Sequence, residues 1–128
     1  MMTTAPPPAA RRPPPAAAGV RTHGPADDGV HAAEEVFADY VGSHTGSRVD
    51  VVRWNDSVVT ARVIDPAFRG MTEFDRNDRV WDFLDARADP ARTAELSFIV
   101  KVAPGEERTH AGNLEFEDRL AELAAATQ

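Results

Sequence analysis

Cysteine is absent from the 128 residues. No disulfide, thiolate nucleophile or cysteine metal site can come from this chain alone. Soft-metal chemistry would need thiols from a partner. Lysine is nearly absent as well, since arginine supplies 13 of the 14 basic side chains. With the abundant alanine, that bias suggests a GC-rich bacterial genome. No apolar run approaches the length of a membrane span, and the N-terminal region lacks the hydrophobic core of a secretory signal. The cytoplasm is therefore the expected location. Neither an internal repeat nor a phosphate-cradling glycine loop occurs.

What is present is acidic. The formal net charge is −7, and from Gly29 onward 19 acidic side chains stand against 11 basic ones. Such a surface repels nucleic-acid phosphate unless its arginines gather on one face. Proline is unevenly placed: seven of the ten lie in the first 28 residues, including Pro6–Pro8 and Pro13–Pro15. Apart from two methionines, Val20 is the one large apolar side chain there. That segment cannot bury enough apolar surface to offset its ordering entropy. Residues 1–28 are expected to be a disordered Pro/Ala-rich tail, with local polyproline character. Residues 29–128 are expected to form one domain.

Periodicity supplies the elements of that domain. Ala33, Val36, Phe37, Tyr40 and Val41 fall on one helical face between His31 and Ser43. Arg48–Trp54 and Ser57–Ile64 alternate with period two around Asn55-Asp56, residue types suited to a tight turn, and so predict a hairpin. Pro66 ends the second strand and Gly70 permits a turn. Thr72 is a credible N-cap, with Glu73 and Asp75 in the first turn, for a helix carrying Val80, Trp81 and Leu84 and stopped at Asp89-Pro90. Pro90–Glu95 has room for a short helical turn. Leu96–Val102 alternates as a third strand, with Leu96, Phe98, Val100 and Val102 on one side. Asn113 can cap a last helix with Phe116, Leu120, Leu123 and Ala124 as its buried stripe. The expectation is a two-layer α+β fold: a three-stranded sheet with helices on one face, in the order α-β-β-α-(short α)-β-α.

The run Phe68-x-Gly70-x-Thr72-x-x-x-Arg76-x-x-x-Val80 resembles the pattern of the BolA-like proteins. Trp81, Leu84, Leu96-Ser97, Pro104 and Glu106 continue the likeness, which covers about residues 49–107. The resemblance implies a class II KH-like topology and a protein partner, the family being associated with monothiol glutaredoxins and a shared [2Fe–2S] cluster. The family's usual histidines have no counterpart. Asn77 follows Arg76, no histidine stands at Ala94-Glu95-Leu96, and the first hairpin loop is only Asn55-Asp56. Direct ligation of a cluster by this chain is therefore not expected. His23, His31, His44 and His110 show no ligand spacing, which leaves His44 and His110 as weak metal candidates.

Four arginines, Arg62, Arg69, Arg76 and Arg79, can form a basic patch for an acidic partner or a phosphate. The competing expectation is ion pairing with Glu73, Asp75, Asp78 and Asp82. Arg69-Gly70-Met71-Thr72 has a single glycine where a KH reader needs a Gly-x-x-Gly loop. Trp81 falls on a core stripe, whereas Trp54 abuts the hairpin turn and can anchor a partner. Ser43, His44 and Asp50 are the residue types of a catalytic triad, but no Gly-x-Ser-x-Gly elbow accompanies them. The leading expectation is a non-catalytic adaptor or regulatory protein that binds a protein partner through Trp54, Arg69, Arg76 and Arg79, in iron–sulfur or redox homeostasis. The alternatives are a KH-like nucleic-acid-binding regulator and an accessory protein or small enzyme of a dedicated bacterial pathway.

Overall fold

The fold is built around the expected hairpin. β2 (Arg48–Asn55) and β3 (Val58–Ile64) pair antiparallel, with Val49 opposite Val63, Asp50 opposite Arg62 and Val51 opposite Ala61. Alternation sends Val49, Val51, Val59, Ala61 and Val63 to one face and Asp50, Val52, Trp54, Thr60, Arg62 and Ile64 to the other. The computed structural model describes residues 19–126. Residues 1–18 of the expected tail lie outside the described residues. Residues 19–28 belong to the fold: Val20–His23 forms β1, parallel to β2, with Val20 opposite Val49 and His23 opposite Val52. The sheet therefore has four strands, not three, in the order β1-β2-β3-β4. β1 escaped sequence analysis because four residues with one large apolar side chain carry no period. It is held by its neighbour, and the Gly19 carbonyl accepts from Val49 N at 2.6 Å.

α1 (Asp28–Ser43) connects β1 to β2. It starts earlier than the periodicity predicts because Asp27 caps it, accepting from Val30 N at 3.1 Å. A Cβ on Gly29 would collide with Glu95 and Arg53, whose ion pair crosses there from the end of β2 to the start of β4. α2 (Glu73–Arg87) follows β3 through one 3-10 turn, Pro66–Phe68. Thr72 caps it, Oγ1 accepting from Asp75 N at 3.1 Å. Gly70, at φ +83°, makes the entry turn. Residues 88–95 form turns, with no helix at Pro90–Glu95. β4 (Leu96–Val102) then pairs parallel with β3. α1 and α2 lie over the same sheet face, where Phe37, Tyr40, Phe68, Val80 and Leu84 join the first set of strand residues in the main core. Each large side chain buried there contributes about 1.5–3 kcal/mol. The two crossovers advance the same way across the sheet, over one face, between strand pairs of opposite direction. They are consequently of opposite hand, and one departs from the right-handed rule.

α3 (Ala111–Ala126) covers the other face. Phe116, Leu120 and Leu123 meet Val52, Ile64, Val100 and Val102 in a second core. The domain thus has three layers, which corrects the expectation of helices on one face alone. The hairpin is apolar on both sides, so one helical layer cannot bury it. α3 starts at Ala111, with His110 in the capping role: its Nδ1 is 3.2 Å from Asn113 N. Asn113, expected as the cap, lies inside the helix and is fully buried.

Candidate functional site

The expected site residues are scattered by the fold. Arg76 is buried and clamps α2 to the segment after β4. Its guanidinium donates to both carboxylate oxygens of Glu106, at 2.7 and 2.9 Å, and to the carbonyls of Lys101 and Met71, each at 3.1 Å. The Arg76 pair, with a hydrogen bond from Ala103 N, holds the Glu106 carboxyl down at about 2. Lys101 Nζ in turn reaches the Ile99 carbonyl at 2.7 Å, Asn77 Oδ1 at 3.3 Å and Glu73 at 3.0 Å. Side chains of Arg76 and Lys101 therefore occupy carbonyls of the edge strand β4, a device that blunts strand addition. Arg79 donates from Nε to Asp65 at 3.2 Å, and the same buried carboxylate accepts from Tyr40 OH at 2.6 Å. Burial and the Asp65 carboxylate push the Tyr40 phenol up from its ordinary range. Arg69 is exposed and donates to the Pro104 carbonyl at 2.8 Å.

These arginines do not make one patch with Arg62, which lies under α3 on the opposite face. Arg62 binds Asp50 through Nε and Nη2 at 3.0 and 2.7 Å, Asn113 through Nη1 at 2.8 Å, and Glu117. Asp50 also meets His23 Nε2 at 2.9 Å. Asp50 thus faces α3, away from Ser43 and His44, whose Oγ and Nδ1 lie 3.0 Å apart, and the three side chains do not come together as a triad. His44 lies against the main core instead, its ring stacked 3.8 Å from that of Tyr40 and its Nδ1 2.8 Å from the Tyr40 carbonyl. His110 caps α3 and approaches Glu73 at 3.7 Å. No group of three or more His, Asp or Glu side chains that could hold a metal occurs among the described residues. With no cysteine, the soft ligands this chain could bring to a [2Fe–2S] cluster are imidazoles.

Trp54 is the expected residue that the fold presents as a surface. It projects from the end of β2 onto the α3 side, half-buried against the second core. Phe116 backs it with ring centroids 6.5 Å apart, and Arg119 Nη2 donates to its carbonyl at 3.0 Å. Phe98 stands edge-on to the indole at 5.2 Å and an interplanar angle of 81°. Phe98 is 45% exposed. Its position follows from a register shift in β4: Leu96 lies opposite Val59, but Ile99 lies opposite Ala61. The extra residue turns Leu96 and Ile99 to the main core and leaves Phe98, Val100 and Val102 on the α3 side, which corrects the simple alternation expected for this strand. Simple alternation groups Phe98 with Leu96, so no signal in the sequence isolates it.

No helix among the described residues is long and apolar enough to cross a membrane. Compared with protein-family models, with curated proteins and with solved structures, the chain matches none.

Proposed function

We propose that this chain is a non-catalytic adaptor that binds a protein partner through the aromatic face formed by Trp54 and Phe98. The observation that carries this reading is the exposed Phe98 ring set edge-on to a Trp54 already packed from behind by Phe116. A large aromatic held in place before binding loses little side-chain freedom on association, and such residues dominate interface energetics. Arg119, anchored to the Trp54 carbonyl, supplies a polar rim. The resemblance of residues 68–80 to BolA-like proteins makes a monothiol glutaredoxin the first partner to try, in iron–sulfur or redox homeostasis. Any cluster in such a complex would be held by the partner's own ligands.

A photo-crosslinking side chain placed at Phe98 in host cells tests the face directly. The expected result is a saturable adduct with one protein. The same side chain at Asp85, exposed on α2 over the other sheet face, should give none, and Trp54→Ala should weaken the Phe98 adduct. Equal labelling from both positions, or none from Phe98, would overturn the proposal.

A further inference from the structure

α3 leaves part of its sheet face uncovered. It runs over β3 and β4, reaches β2 near Trp54 and brings Leu123 against Gly24 just past β1, while the start of β1 and of β2 stays open. Residues of one parity from three strands line that opening. Arg21 and His23 come from β1, Arg48 and Asp50 from β2, and Arg62 from β3, with Glu117 and Leu120 of α3 as the wall. They enclose a cleft of about 540 Å³, within the size range of small-ligand sites.

The charge in this cleft is the reverse of the molecule's. Three guanidiniums and an imidazole face two carboxylates, Asp50 and Glu117, on a chain of net charge −7. Both carboxylates are bound to Arg62, whose buried guanidinium also takes Asn113. Asp50 further fixes His23 through Nε2 at 2.9 Å. Arg21 and Arg48 are exposed, and neither makes a side-chain hydrogen bond or ion pair among the described residues. A further acid, Glu107, lies close enough to feel the charges of Arg48 and Arg62. Its own and Gly105's backbone N–H groups hold its carboxyl below the usual range, and those charges add to that effect. The carboxylates of the cleft are thus tied to Arg62, and its two rim guanidiniums have no side-chain partner among the described residues.

We infer that this cleft binds a small phosphate monoester, with Arg21 and Arg48 as the anion-binding residues and Leu120 against the ligand's apolar part. Guanidinium forks match the oxygens of a phosphate dianion, each giving paired, charge-assisted hydrogen bonds. Two forks approaching from neighbouring strands can serve more oxygens than a carboxylate offers. The site is separate from the Trp54–Phe98 face, so the fate of either reading leaves the other standing.

Calorimetric titration of the full chain at neutral pH and low salt, with phenyl phosphate, inorganic phosphate and benzoate as probes, tests the inference. Phenyl phosphate should bind saturably and about tenfold tighter than either of the others. The double variant Arg21→Gln/Arg48→Gln should lose that binding while keeping the wild-type circular dichroism spectrum, because both side chains are exposed and neither makes a hydrogen bond or ion pair among the described residues. Arg92→Gln, on the other side of the sheet, should retain it. Benzoate binding as tightly as phenyl phosphate, unchanged affinity in the double variant, or no saturable heat at millimolar phenyl phosphate would each overturn the proposal.

Discussion

Thr60 Oγ1 is buried in the sheet beneath α3 without a hydrogen-bond partner among the described residues. A hydroxyl desolvated in this way costs about 1–3 kcal/mol in protein mutational series. Replacing it with a methyl of similar shape removes the penalty and keeps the β-branched packing. Thr60→Val should therefore raise stability by about 1 kcal/mol, read as a higher urea midpoint with an unchanged slope; a lower midpoint would contradict the assignment. The charged residues nearby are the opposite case. Asp50, Arg62 and Asn113 satisfy one another, and Tyr40, Asp65 and Arg79 do so on the main-core side. Removing one partner from such a group leaves a buried charge exposed to low dielectric. A charge reversal at Arg79 would accordingly report on stability through Asp65 rather than on partner binding.

Among the elements, the junction of α2, β4 and the loop after it rests on one ion pair. Arg76 reaches from the second turn of α2 to Glu106, and Glu106 Oε1 also accepts from Ala103 N at 3.0 Å. The folded chain holds Glu106 at about 2 against 4.5 for the free side chain, so the unfolded state takes up the proton first as pH falls. The pair's contribution is complete above the unfolded value and is lost as pH drops through the folded one. Glu106→Gln should lower the urea midpoint at neutral pH, and the gap from wild type should close as pH falls from 4.5 toward 2. A gap of constant size across that window would show that the carboxylate charge plays no part. The same junction explains why β4 is not an open template: its outer carbonyls at Ile99 and Lys101 are already bonded by side chains.

At the scale of the whole molecule, one sheet separates two cores. Val80 belongs to the core under α1 and α2, and Phe116 to the core under α3. Substitutions that share no partners and lie far apart add in free energy. Val80→Ala and Phe116→Leu should each cost about 1–2 kcal/mol from lost burial and residual cavity, and the double variant should lose their sum to within about 0.5 kcal/mol. Strong coupling between the two in denaturant titrations would mean that the sheet transmits strain from face to face.

The local elements were legible in the chain. The period of two in residues 48–64, the cap at Thr72, the stripe through Val80 and Leu84 and the stripe through Phe116 and Leu120 are contained in short windows, because each depends on neighbours a few residues away. Trp54 could also be singled out, from its size and its place beside a turn. Sequence alone therefore determined the α+β class, the hairpin and the main helices. Tertiary structure alone decided that Val20–His23 becomes a strand, that α3 takes the second face, that Phe98 is turned outward, and that Arg62 and Arg76 are spent on internal contacts while Arg21 and Arg48 have no side-chain partner among the described residues. Each of those outcomes depends on pairing across long sequence separations, as from His23 to Asp50 or from Arg62 to Glu117. The local period of a strand fixes which residues share a face, but which helix covers that face, and which charges it neutralises there, follows only from how the layers close.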